Sequence, residues 1–180
     1  YAKQYINTDG EGTFSSGDTL EGDFTRVYSL QITDLDSDGD QDIVGVFFYS
    51  DTSNYYKISW FENTDGFGAF SMESNIAGNI AHHTSILDIG DINNDAAKDI
   101  LFIADDTVFY CKNNINVSGA FDSPLALTGD FDQPKSLSTV DFDNDNDLDL
   151  LLATYSDSDL LWFENLDGNG DYGDPQIIDQ

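Results

Sequence analysis

Apolar residues in this chain come in short runs of strand length, not at helical spacing. Ile43-Val44-Gly45-Val46-Phe47-Phe48 and Leu148-Asp149-Leu150-Leu151-Leu152 are the clearest runs. Each is bounded by turn-forming residues, which marks an inner strand buried on both faces. The runs recur with their flanks. Asp34-Leu-Asp36-Ser-Asp38-Gly39-Asp40-Gln-Asp42-Ile43 aligns with Asp91-Ile-Asn93-Asn-Asp95-Ala96-Ala97-Lys-Asp99-Ile100. Both align with Asp141-Phe-Asp143-Asn-Asp145-Asn146-Asp147-Leu-Asp149-Leu150. A second motif follows each acidic stretch. Trp60-Phe-Glu-Asn63 and Trp162-Phe-Glu-Asn165 lead into Asp65-Gly66-Phe67-Gly68 and Asp167-Gly168-Asn169-Gly170. Tyr110-Cys-Lys-Asn113 is a weaker middle copy with a longer turn to Phe121, and Tyr5-Ile-Asn7 before Asp9-Gly10 is a copy with no acidic loop ahead of it.

The pattern predicts an all-β chain with four short strands per repeat. In the first full repeat they fall near 25–33, 42–49, 55–63 and 69–76. The acidic loop joins the first two, and Asp-Gly-x-Gly makes the turn between the last two, with glycine supplying positive φ. A four-stranded unit of roughly 45–57 residues has the size of a β-propeller blade. The expected division is a partial blade over 1–23 and blades over 24–79, 80–132 and 133–180. About three and a half blades fall short of the usual closed ring of roughly 4–8. The chain is therefore expected to be part of a larger propeller, or to complete a ring or filament with further copies.

Charge sharpens this picture. There are 35 acidic and 6 basic residues, a formal net charge of −29. Nucleic acid and anionic lipid would be repelled. No apolar run approaches the length of a membrane span, and no secretory leader is visible at Tyr1. The single cysteine, Cys111, rules out a disulfide within the chain, so the core or a metal must supply stability.

Carboxylates at positions 1, 3, 5 and 9 of a tight loop converge if the loop curls once, and without a cation they repel. Oxygen ligands without His or Cys select a hard cation, and a flexible loop favours Ca2+ over Mg2+. Position 7 (Asp40, Ala97, Asp147) would offer its backbone carbonyl. An EF-hand is excluded because its loop needs Glu at position 12, where Gly45, Phe102 and Leu152 stand. The middle loop is expected to bind more weakly: Asn93 replaces a carboxylate, and Ala96 stands where Gly39 meets a need for positive φ.

The acidic loop, the Trp-Phe-Glu-Asn strand and the Asp-Gly-x-Gly turn together resemble the FG-GAP/VCBS repeat family, which includes the integrin α-subunit propeller. The resemblance spans nearly the whole chain. It implies a β-propeller with calcium held between the first two strands of each blade. By position the ligands would be Asp34, Asp36, Asp38, Asp40 and Asp42; then Asp91, Asn93, Asp95, Ala97 and Asp99; then Asp141, Asp143, Asp145, Asp147 and Asp149. About three Ca2+ are thereby expected.

Other constellations carry less. His82-His83 are neighbours that a strand would point to opposite faces, so a loop or strand-edge role is expected. No nucleophile elbow or phosphate loop is present. Trp60 and Trp162 are expected in the blade core, and Cys111, at the Phe61 and Phe163 position, as a small apolar residue. Tyr49, Tyr55 and Tyr56, around a polar loop peculiar to the first repeat, are the candidate ligand contacts. Asn116-Val-Ser118 is an N-glycosylation sequon. The expected function is a non-catalytic extracellular calcium-binding module for adhesion, protein interaction or assembly, with a protein or glycan ligand at the cell surface. The alternatives are a lectin-like propeller, an accessory part of a polysaccharide-active enzyme, or a self-assembling subunit.

Overall fold

The computed structural model describes residues 2–50, 53–81, 84–127, 131, 133–155 and 159–179. His82 and His83 lie outside the described residues. The chain divides into two compact units, Tyr1–Ala81 and His82–Gln180.

The first unit opens with a two-stranded ribbon, β1 (Lys3–Gln4) and β2 (Asp18–Thr19). Then come β3 (Arg26–Thr33), β4 (Asp42–Ser50), β5 (Asn54–Phe61) and β6 (Ser74–Ile80), an antiparallel meander in that order. The second unit holds β7 (Thr84–Gly90), β8 (Asp99–Ala104) and β9 (Thr107–Cys111). A small excursion follows: β10 (Asn113–Asn114), the single turn α1 (Ile115–Ser118) and β11 (Ala120–Phe121). The two-residue strand β12 (Leu125–Ala126) then completes the β7-β8-β9-β12 sheet. Its last sheet is β13 (Pro134–Val140), β14 (Asp149–Thr154), β15 (Leu160–Phe163) and β16 (Gln176–Asp179). These are propeller-type blades of four antiparallel strands, as the repeat predicted.

The second strand of each sheet is the most apolar and lies deepest. Every residue of β8 is buried, and β4 is buried from Asp42 to Phe47. In the first unit Phe24, Phe47 and Phe61 pack ring on ring, at centroid distances of 4.7 Å and 5.5 Å about Phe47. In the second unit Leu101, Ile103 and Val108 of one sheet share a core with Leu150, Leu152 and Phe163 of the next. Each first strand also carries a bulge six residues before its acidic loop, between Val27 and Ser29, Thr84 and Ile86, and Pro134 and Ser136. An extra residue there re-aims the strand, and its repetition makes it a property of the blade.

Two expectations are corrected. The last strand of the first full repeat begins at Ser74, not near 69. Residues 63–70 close a separate loop through one bridge, Asn63 to Phe70, and the ladder resumes only beyond it. Trp60 and Trp162 are half-buried and, among the described residues, belong neither to the cluster around Phe47 nor to the one around Leu101 and Leu150. Alternation along the strand buries Phe61 and Phe163 in these clusters and puts Trp60 and Trp162 on the other face; in the middle copy both Cys111 and Tyr110 are buried, and it is Tyr110 that joins the core of the second unit. Trp162 instead packs on Phe142, at a centroid distance of 5.3 Å. Cys111 is fully buried, and burial pushes its thiol up to about 12, so it packs as an apolar residue.

Candidate metal centre

The three acidic loops, 34–42, 91–99 and 141–149, share one backbone. In each, the fourth and sixth residues have positive φ: Ser37 and Gly39, Asn94 and Ala96, Asn144 and Asn146. Asn tolerates this conformation and glycine adopts it freely, whereas Ala96 at φ 68° bears its steric cost. The curl is held by the carboxylates themselves. The sixth residue donates its N–H to the first aspartate: Gly39 to Asp34 at 3.1 Å, Ala96 to Asp91 at 3.0 Å, Asn146 to Asp141 at 3.2 Å. The seventh donates to the fifth, each at 2.9 Å: Asp40 to Asp38, Ala97 to Asp95, Asp147 to Asp145.

The ninth residue, Asp42, Asp99 or Asp149, is fully buried. One of its oxygens accepts the N–H of the second loop residue, as Asp42 does from Leu35 at 3.0 Å. The other accepts the N–H of the motif asparagine, from Asn63 at 2.8 Å, Asn113 at 2.7 Å and Asn165 at 2.9 Å. That asparagine spans two loops. Its amide donates to the carbonyl ending the acidic loop: Asn63 to Gln41, Asn113 to Lys98, Asn165 to Leu148. Its carbonyl accepts the turn amide, from Gly68, Ile115 or Gly170, each at 3.0 Å. The sequence displayed this asparagine in every copy without revealing its role; its fixed offset from the buried aspartate was the available signal.

The donor set fits a hard cation. In the first loop, carboxylate oxygens of Asp34, Asp36 and Asp42 lie within 4.8 Å of one another, and so do those of Asp36, Asp38 and Glu62. Asp141, Asp143 and Asp145 converge in the same way in the third. Asp34 Oδ1 is buried with no hydrogen-bond partner, an oxygen left over for a positive charge. Burial and the neighbouring acids, Asp38, Asp42 and Glu62, hold the Asp36 carboxyl above its ordinary value, and burial with Asp145 and Asp149 does the same for Asp143. Glu62 is an addition to the expected ligand set. The side chains at position 7 turn aside: Asp147 accepts from Asn94 Nδ2 at 2.6 Å. Among the described residues, the middle loop forms no such convergence of three acidic groups.

Among the tyrosines singled out from the sequence, Tyr49 and Tyr55 stand on β4 and β5 and are paired across them, not on a loop. Their rings stack at 5.0 Å and line a cleft of about 620 Å³ with Glu21, Asp23, Lys57 and Glu73. Tyr49 and Ser59 hydroxyls donate to Glu73, while Lys57 lies over the Tyr49 ring at 4.3 Å. Tyr56 is not part of this cleft. It packs with Tyr28 and Phe48, because adjacent strand residues face opposite ways. Asn116 is exposed on α1.

The arrangement can be set beside known proteins. The FG-GAP-like repeat family matches residues 34–102 and 91–152, each match running from one acidic loop into the strand after the next. The chain belongs to the FG-GAP-like repeat family. No curated protein matches it. Among solved structures, an Agrocybe aegerita lectin, whose description is specific recognition of non-reducing terminal N-acetylglucosamine, is similar at a TM-score of 0.62 and 19% identity. The likeness covers 97% of this chain and 45% of the lectin's, so this chain spans less than half of that protein. At that identity it is a likeness of fold. For an FG-GAP-like repeat chain, the two features that matter are the repeated acidic loop and the asparagine that fastens it.

Proposed function

We propose that this chain is a calcium-binding FG-GAP-like repeat module that works outside the cell, without catalysis, in adhesion, protein interaction or assembly. The observation that carries the reading is the buried, unpartnered Asp34 Oδ1 facing converging carboxylates in a preformed loop. Asp34, Asp36, Asp38 and Asp42, with Glu62 alongside, would hold one ion; Asp141, Asp143, Asp145 and Asp149 would hold another. Bound calcium would supply positive charge that cancels the repulsion among these acids. Oxygen-only donors suit Ca2+, and modest-affinity loops fill at the calcium levels found outside cells. Isothermal titration of chelator-stripped protein tests the reading. Heat of binding for Ca2+, weaker for Mg2+ and lost in Asp36→Asn/Asp143→Asn, is expected; equal silence for both ions overturns it.

A second reading, a glycan-binding module, is favoured by the Tyr49–Tyr55 cleft together with the lectin's similar fold. Glycan-array binding that Tyr55→Ala abolishes would support it, and silence across the array would remove it.

A further inference from the structure

The residue just before the motif asparagine differs in kind among the repeats. It is Glu62 in the first, Lys112 in the second and Glu164 in the third. In the first repeat Glu62 brings a further carboxylate oxygen to within 4.8 Å of those of Asp36 and Asp38. In the second, Lys112 Nζ lies 3.2 Å from Asp95 Oδ2, the fifth loop residue. The same backbone position thus delivers a negative charge to one loop and a positive charge to another.

We infer that Lys112 is a built-in replacement for the metal ion of the middle loop, so that this chain takes up two calcium ions, in its first and third loops, and none at 91–99. The inference rests on the calcium reading above and refines its stoichiometry.

Three observations carry it. First, the charge is already balanced differently. The first and third loops each hold five aspartates, with Glu62 and Glu164 at the same later position of the repeat, whereas the second holds Asp91, Asp95 and Asp99 with Lys112 beside Asp95. Second, the remaining polar groups have protein partners. Asn93 Nδ2 donates to the Tyr110 hydroxyl at 3.1 Å, and that hydroxyl donates to Asp99 Oδ2 at 2.9 Å. Asn93 Oδ1 and both Asp91 oxygens accept loop amides from Asp95 and Ala96, as Asp143 Oδ1 and both Asp141 oxygens do in the third loop, so the Tyr110 bridge is what sets the middle loop apart. Tyr110 stands where the other repeats have Trp60 and Trp162, whose indoles have no oxygen to place there. Third, the loop has the same curl as its neighbours, with positive φ at Asn94 and Ala96. The middle loop therefore holds the shape of its neighbours with an ammonium group already at its fifth residue. A cation entering this loop would meet an ammonium group and would have one carboxylate fewer at position 3. The device keeps the middle loop in shape when calcium is scarce, and with it the Asn94 contact to Asp147 of the third loop.

Native mass spectrometry of the chain in excess calcium counts the ions directly. The expected result is two ions on the wild type and three on Asn93→Asp/Lys112→Glu. Three ions on the wild type, or two on a folded double variant, would overturn the assignment. No bound ion on the wild type would instead sink the calcium reading itself, so the two failures are distinct. Hydrogen exchange of the wild type in chelator supplies a readout that needs no variant. The amides of Ala96 and Ala97 should stay protected while those of Gly39, Asp40, Asn146 and Asp147 lose at least tenfold in protection. Equal loss in all three loops would overturn the inference.

Discussion

Replacing Asn165 by alanine removes the fastening of the third acidic loop without touching a charge. Asn165 is 1% exposed. Its amide donates to Ile92 O at 2.9 Å and Leu148 O at 3.3 Å, and its carbonyl accepts from Gly170 N at 3.0 Å. Each intramolecular hydrogen bond contributes about 1 kcal/mol net, and buried partners left unpaired cost more. Three bonds give a loss of about 3 kcal/mol. For a chain of this size that lowers Tm by about 6–12 °C, at roughly 2–4 °C per kcal/mol. Asn7 is the control. It occupies the same motif position and accepts from Gly10 N and Gly12 N, but it is exposed. Water replaces those bonds, so Asn7→Ala should cost less than about 1 kcal/mol. Urea unfolding followed by tryptophan fluorescence measures both variants. Equal, small losses for the two would refute the view that burial of the bridging amide is what fastens the loop.

Three further outcomes are expected. Ala96→Gly should stabilise the chain by about 1 kcal/mol in the same urea assay, because glycine is spared the steric cost of the left-handed conformation Ala96 now holds at φ 68°; a loss would mean that the alanine methyl packs usefully. Gly66→Ala should destabilise by about 1–2 kcal/mol, since a Cβ on that φ 67° residue would lie 2.5 Å from Asp40 Oδ1; an unchanged Tm would contradict the close approach of the two loops. Burial pushes the Asp99 carboxyl up to about 6 and raises Asp36 and Asp143 as well. A folded value above the unfolded one, about 3.9, means that the folded state binds the proton more tightly. In chelator, stability should therefore rise as pH falls from about 6 toward about 4. The lowered carboxyls, Asp65 and Asp167 among them, act only below that window. Thermal scans at pH 6.5 and 5 check the sign, and a lower Tm at pH 5 would contradict it.

The blades and their loops were legible because the repeat imposes the same physical demand at the same offset. A carboxylate that must be buried at Asp42, Asp99 and Asp149, followed by an apolar strand, leaves few other structures for the chain. Alternation was harder to phase. Trp60-Phe61 and Tyr55-Tyr56 are pairs of large residues on one strand, and period 2 says that they part without saying which enters the core. The structure resolves this: Phe61 and Tyr56 are buried, while Trp60 is half-buried and Tyr55 faces the cleft. The start of β6 was missed because Phe70 looks like the opening of a strand, yet it makes a single bridge that closes the Asp65 turn. Lys112 was in plain view in the middle copy, but its meaning depends on the distance to Asp95, which spacing along the chain does not disclose.

The central claim is that the acidic loops are cation sites tied to folding, and thermal unfolding in saturating calcium against chelator tests it most directly. A ligand of the folded state at 100 times its Kd adds about 2.7 kcal/mol per site. Two sites therefore give about 5 kcal/mol, a rise in Tm of roughly 10–20 °C. The account predicts that rise for the wild type and its loss in Asp36→Ala/Asp143→Ala. A wild type with the same Tm in calcium and in chelator would contradict it and leave the loops as turns fastened by their own aspartates.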